Sequence, residues 1–189
     1  MPFRIILSQI VFLALGVSFI FAQVDVIGDQ NFLFIQNNNE INLPFFSNQS
    51  LDASNGSIQK AVIVIHGANR NADDYYNSIY NNAFDLDVLS ETVIIAPQFL
   101  ITTDLNHWQP SLEFVFWSGT TPWSSGGLSN STSEHPRDYE ISSYAIMDSL
   151  IDHLLTIYTN LQDIALVGNS AGGQFVNRYA AGSDQQADG

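Results

Sequence analysis

Late in the chain the sequence reads Ile164-Ala165-Leu166-Val167-Gly168-Asn169-Ser170-Ala171-Gly172-Gly173. The first four residues form a short apolar run suited to a buried parallel strand. From Ala171 through Phe175 and Tyr179 to Ala181 the composition suits a helix. Gly168 and Gly172 stand two residues either side of Ser170. A serine held on a sharp strand-to-helix turn has a strained backbone, and bulky neighbours would clash where strand and helix meet. Glycine at those two positions removes the neighbouring side chains. The helix N-terminus then directs backbone N–H groups at the serine, where they favour developing negative charge. The pattern is that of a nucleophile elbow. Ser170 is the candidate nucleophile, Gly168, Asn169 and Gly172 shape the turn, and the N–H of Ala171 is the first candidate oxyanion donor.

A second signal lies upstream. Ala61-Val62-Ile63-Val64-Ile65 is another buried-strand run, followed at once by His66-Gly67-Ala68-Asn69-Arg70-Asn71-Ala72-Asp73-Asp74-Tyr75-Tyr76. Together with Gly168-Asn169-Ser170-Ala171-Gly172-Gly173, this stretch resembles the α/β-hydrolase superfamily, in its secreted esterase and depolymerase branch. That branch includes polyhydroxybutyrate depolymerases and feruloyl esterases. The resemblance covers residues 60–181, the N-terminal part of a catalytic domain. One departure is visible: Asn169 stands where such proteins often carry histidine.

The resemblance implies a three-layer α/β fold and a second oxyanion donor from the loop after the upstream strand. That donor is assigned to the N–H of Ala68, with Gly67 as the alternative, because a glycine lets the backbone approach a substrate carbonyl. Two such donors contribute about 3 kcal/mol each to acyl transfer. His66 is expected to shape this loop rather than to act as a base. In this fold the acid and the histidine of the triad follow the serine in the chain. His66, His107, His135 and His153 all precede Ser170. Asp184 and Asp188 follow it too closely, in a polar tail, to return as the acid. The expectation is therefore a fold cut short after the elbow helix: an N-terminal fragment of a serine esterase, lacking the triad acid and histidine and inactive alone. Without later strands, the elbow strand is expected to lie at an exposed edge. A non-catalytic hydrolase-fold protein that binds a ligand or partner is the alternative.

Hydrophobic residues make up 46% of the 189, enough for a packed core in one domain. Met1-Pro2-Phe3-Arg4 and the apolar run after it read as a secretory signal peptide over residues 1–22, with Ala22-Gln23 as the cleavage point. An uncleaved anchor is the alternative. Residues 23–189 then form the partial hydrolase domain. Three sequons, at Asn48, Asn55 and Asn130, fit a secreted or lumenal glycoprotein. There are no cysteines, so no disulfides. The formal charge is −14. Such acidity argues against nucleic acid or anionic membrane as partner and favours neutral esters, small or polymeric. No cofactor or metal motif is present: His107 and His135 lie near Asp104, Glu134 and Asp138 without helical ligand spacing.

Along the rest of the chain, two strands flank an Asn37-Asn38-Asn39 turn, and Pro44 suggests that the second is an edge strand. Asn71 is expected to cap a helix from Ala72 to about Phe84, with Asp73 and Asp74 in its first turn. Arg70 is expected to bond one of these acids or the loop backbone. A strand over Thr92-Val93-Ile94-Ile95-Ala96-Pro97 precedes a long loop over residues 98–137. A helix over residues 139–159 follows, with Asp148 meeting a polar partner at the helix–sheet junction. The loop holds Trp108, Trp117 and Trp123, which either line a substrate pocket or cover the sheet edge.

Overall fold

A computed structural model describes residues 23–119 and 122–182. The leader, residues 120–121 and the tail holding Asp184 and Asp188 lie outside these described residues.

The chain opens with a hairpin. Strands β1 (Gln30–Gln36) and β2 (Asn39–Ser47) pair antiparallel from Gln36↔Asn39 to Gln30↔Phe45. The turn residues Asn37 and Asn38 have φ of 51° and 65°. Asparagine tolerates that left-handed pair, whose twist matches a two-residue hairpin. Then come β3 (Lys60–Ile65), helix α1 (Ala72–Asp85) and β4 (Thr92–Pro97). The stretch expected as a long loop carries structure of its own: β5 (Leu100–Ile101), α2 (Thr102–Trp108), β6 (Phe116–Trp117) and a 3-10 turn at Pro122–Ser125. These segments are too short for periodicity to reveal. The chain continues through α3 (Ser143–Ile157), β7 (Asp163–Gly168) and α4 (Ala171–Gly182).

The result is a mixed α/β fold. Its main sheet has the order β1-β2-β4-β3-β7, with β3 parallel to both β4 and β7. β2 is not the edge strand that Pro44 suggested. It lies between β1 and β4, and its ladder with β4 runs from Phe45↔Pro97 to Ser47↔Ile95. Pro44 stands at the end of that ladder, where its carbonyl still accepts from Gln98 N–H at 2.9 Å and its missing N–H costs only the reciprocal bond. The described edges are β1 and β7. β7 is exposed or half-buried throughout, as an apolar run with one partner strand must be.

The sheet buries both faces by strict alternation on β3. Ala61, Ile63 and Ile65 point to one side, against Ile146, Met147, Leu150 and Leu154 of α3 and Phe175 of α4. Val64 points to the other, with Ala96 and Ala72 of α1. Trp117 and Trp123 are fully buried in the larger core. Trp123 stacks on Phe99 with centroids 5.1 Å apart. These two rings are core, because the 98–137 segment folds over the sheet. Trp108 is partly exposed, and its indole N–H donates to the Val24 carbonyl at 2.8 Å. Among the described residues no helix is long and apolar enough to cross a membrane.

Two local expectations change. Asn71 precedes α1 but its side chain caps nothing; it donates to Asp74 Oδ2 at 2.6 Å. The turn before it leaves Ala72 N–H bonded to the Arg70 carbonyl instead. Asp148 accepts from the Tyr179 hydroxyl, a contact between α3 and α4 rather than between helix and sheet.

Candidate active site

Ser170 occupies the turn between β7 and α4 at φ +56°, in the left-handed region that L-residues avoid. Its side chain is exposed. The turn closes through Gly172 N–H to the Asn169 carbonyl at 2.9 Å, and Gln174 N–H to the Ser170 carbonyl at 3.1 Å starts the helix. Both flanking glycines are sterically required. A Cβ on Gly172 would collide with the Ile65 carbonyl at the end of β3. One on Gly168 would lie 2.5 Å from the Gly172 carbonyl carbon. The parallel register, which places Ile65 opposite Gly168, brings the end of β3 beside the turn.

That register also delivers the His66 loop to the serine. A Cβ on Gly67 would lie 3.8 Å from Ser170 Cβ and 3.9 Å from the Asn169 carbonyl oxygen. The loop doubles back through Arg70 N–H to the Gly67 carbonyl at 3.0 Å, with Arg70 itself at φ +61°. None of the hydrogen bonds of the described residues uses the N–H of Gly67, Ala68 or Ala171. Ala171 is buried at the start of α4, and Ala68 is half-buried.

His66 is fully buried and has no nitrogen to offer. Phe99 N–H donates to Nε2 at 2.9 Å, so Nε2 carries no proton; Nδ1–H then donates to the Gly67 carbonyl at 2.8 Å. The ring packs edge-on against Trp123, with centroids 4.7 Å apart. Burial pushes the imidazole down to about 4, and the Arg70 guanidinium acts in the same direction. His66 therefore ties the Gly67 loop to β4's exit. The other histidines serve elsewhere: His135 Nε2 lies 2.6 Å from Asn106 Oδ1, His153 Nε2 lies 2.7 Å from the Leu51 carbonyl, and His107 is exposed.

No protein-family model and no curated protein matches the chain. A solved structure, poly(aspartic acid) hydrolase-1 from Sphingomonas sp. KT-1, is similar at 23% identity and a TM-score of 0.45, over 80% of this chain. The chain spans about half the length of that protein, 50%.

Three residues near the site escaped the sequence reading. Tyr75 was visible only as part of a motif; its hydroxyl lies 2.9 Å from where a Gly67 Cβ would stand. It lines a shallow cavity of about 300 Å³ with Val64, Ile79, Val167, Gly168 and Asn169. Asp104 was weighed only as a neighbour of His107, yet it is fully buried and paired with Arg70, Nε to Oδ2 at 2.8 Å. Arg70 does bond its own loop, Nη1 to the Ala68 carbonyl at 2.9 Å, but its acid is Asp104 rather than Asp73 or Asp74. Gln98, also fully buried, bonds the Arg70 carbonyl through Nε2 at 2.9 Å. A polar residue directly after the apolar run Val93-Ile94-Ile95-Ala96-Pro97 was the available signal for Gln98.

The sequons differ in setting. Asn48 joins β2 to β4, donating to the Thr92 carbonyl at 2.9 Å and accepting from Ile94 N–H at 2.8 Å. A glycan on its nitrogen would crowd that contact. Asn55 donates to Gln49 Oε1 at 3.2 Å and accepts from Ser57 N–H at 3.0 Å. Asn130 is half-buried, and its backbone N–H donates to the Phe116 carbonyl at 2.7 Å.

Proposed function

We propose that this protein is a secreted serine hydrolase of carboxylic esters, built on a three-layer α/β-hydrolase fold and working through an acyl-enzyme at Ser170. The observation that carries the reading is the strained Ser170, at φ +56° between two obligatory glycines, with the Gly67 loop against it. A binding surface has no use for such strain, whereas a nucleophile must stand clear of the sheet.

Ser170 Oγ attacks the ester carbonyl carbon, and the carbonyl oxygen takes up negative charge between the N–H groups of Ala68 and Ala171. The tetrahedral intermediate collapses, the alcohol leaves, and water later releases the acid. The serine proton needs a base that His66 does not supply. None of the four histidines follows Ser170, so we assign that histidine and its orienting acid to a C-terminal portion of the protein past Gly189. The acidic surface favours neutral esters, small or polymeric.

The test is reaction of the full-length protein, its C-terminal portion included, with a fluorophosphonate probe, beside Ser170→Ala. Labelling that disappears in the variant supports the reading; no labelling of the native protein overturns it. The locked His66 is the one observation that favours a non-catalytic ligand-binding protein, and absence of labelling is the result that reading expects.

A further inference from the structure

We propose that Arg70 is a positioning residue for the loop facing Ser170, held in place by Asp104, Gln98 and the strap formed by residues 24–28. The proposal rests on reading that loop as the oxyanion side of a hydrolase site.

The Arg70 guanidinium is buried and grips both oxygens of buried Asp104, Nε to Oδ2 at 2.8 Å and Nη2 to Oδ1 at 3.1 Å. The same guanidinium donates to the carbonyl of Ala68, the residue whose N–H is the assigned donor. Gln98 holds the Arg70 carbonyl. Side chain and backbone of Arg70 are thus fixed together, which keeps a non-glycine residue at φ +61°.

The strap completes both supports. Val24 N–H donates to Asp104 Oδ1 at 3.0 Å, beside Ile101 N–H on Oδ2 at 2.9 Å. Gln98 Nε2 also donates to the Val26 carbonyl at 3.0 Å, and its Oε1 accepts from Gly28 N–H at 2.9 Å. Residues 24, 26 and 28, which alternate, therefore feed the two side chains that hold Arg70. Gly28 must approach closely, since a Cβ there would lie 2.5 Å from Phe45 N. A buried ion pair adds little net stability over apolar packing. What it adds is a unique geometry, because any other loop conformation leaves a buried charge without its partner. Lysine cannot replace the arginine, having no planar fork to hold a carboxylate and a carbonyl at once.

The test is hydrogen exchange of the full chain by mass spectrometry, comparing the native sequence with Asp104→Asn, which keeps shape and loses charge. Exchange over residues 67–71, where Arg70 N–H reports the turn, should rise at least tenfold while peptides from β3 and β4 stay unchanged. Turnover of an aryl ester should fall in kcat by about tenfold to a hundredfold with KM within twofold, because the loop acts in the transition state. Arg70→Lys should show the same rise in exchange and the same fall in kcat. Unchanged loop exchange overturns the proposal, and so does a parallel rise in β3 and β4, which would mark general core support. If Asp104→Asn fails to fold, Val24→Pro removes the strap donor while leaving Arg70, Asp104 and Gln98 in place; loop exchange should still rise threefold or more, and no rise overturns the proposal. A loop that loosens in a protein whose Ser170 never reacts would sink the hydrolase reading and the catalytic meaning of the network. A loop that stays protected sinks the network alone.

Discussion

Acidification should unfold this protein partly through one side chain, His66. In the unfolded chain its imidazole takes a proton near the ordinary histidine value of 6.5; in the fold it does so only at about 4. Between those values the unfolded state binds the extra proton, so stability falls as pH drops from 6.5 towards 4 and then flattens. Above 6.5 the contribution is fully present. At 1.36 kcal/mol per unit, the interval is worth about 3 kcal/mol. The cause is that a protonated ring would be desolvated, and Nε2–H would face the Phe99 N–H that it now accepts from. Urea unfolding of the native chain and of His66→Gln, every half unit from pH 7.5 to 4, isolates the effect. Carboxylates shared by both proteins cancel in the difference. The native chain should lose about 3 kcal/mol more than the variant across that range. Parallel curves would overturn this prediction, as would an imidazole resonance that titrates near 6.5 in the folded protein. With Nε2 and Nδ1 both engaged in hydrogen bonds, His66 is not free to act as the base of the proposed mechanism. A rate profile with a limb near pH 6–7 must then report a different base.

The elbow yields two further outcomes. Ser170→Gly removes the left-handed penalty of a residue at φ +56°, so it should raise unfolding free energy by about 1 kcal/mol while abolishing ester turnover and probe labelling. Urea titration and a chromogenic ester read the two effects together. Gly172→Ala drives a methyl into the Ile65 carbonyl and should destabilise by about 3 kcal/mol, read by the same titration; a loss under 1 kcal/mol would mean that the turn is not compressed against β3.

The elbow and the strand-helix order were legible because both are local. Gly168, Ser170 and Gly172 reveal a tight turn by their spacing alone, and the apolar runs of β3, β4 and β7 reveal strands. The stretch from 98 to 137 was not legible, since β5 and β6 are two residues each and α2 is seven. Their conformation is decided by burial under tertiary contacts rather than by period. Trp117 and Trp123 were ambiguous for the same reason: an aromatic in a polar stretch suits a pocket or a core, and only the folding of that stretch over the sheet decides. Asp104 was invisible because its partners, Arg70 and Val24, lie far from it in sequence. Pro44 misled because a proline at the end of a ladder, bonded through its carbonyl alone, costs one hydrogen bond and leaves the rest of the strand free to pair on both sides.

The geometry of the site follows from one register. β3 and β7 pair so that Ile65 meets Gly168, and each strand then leaves the sheet at the same height, one into the His66 loop and one into Ser170. Apolar sequence determines that register, because a slip of one residue would turn Ile63 and Ile65 away from the larger core. The backbone half of the site is therefore secured by the hydrophobic core and requires no catalytic side chain. A base cannot be secured that way. The base that the proposed chemistry requires would come from a different element, which strand pairing does not fix. This is why the Ser170 turn and the Gly67 loop stand side by side among the described residues, with His66 committed to structure between them.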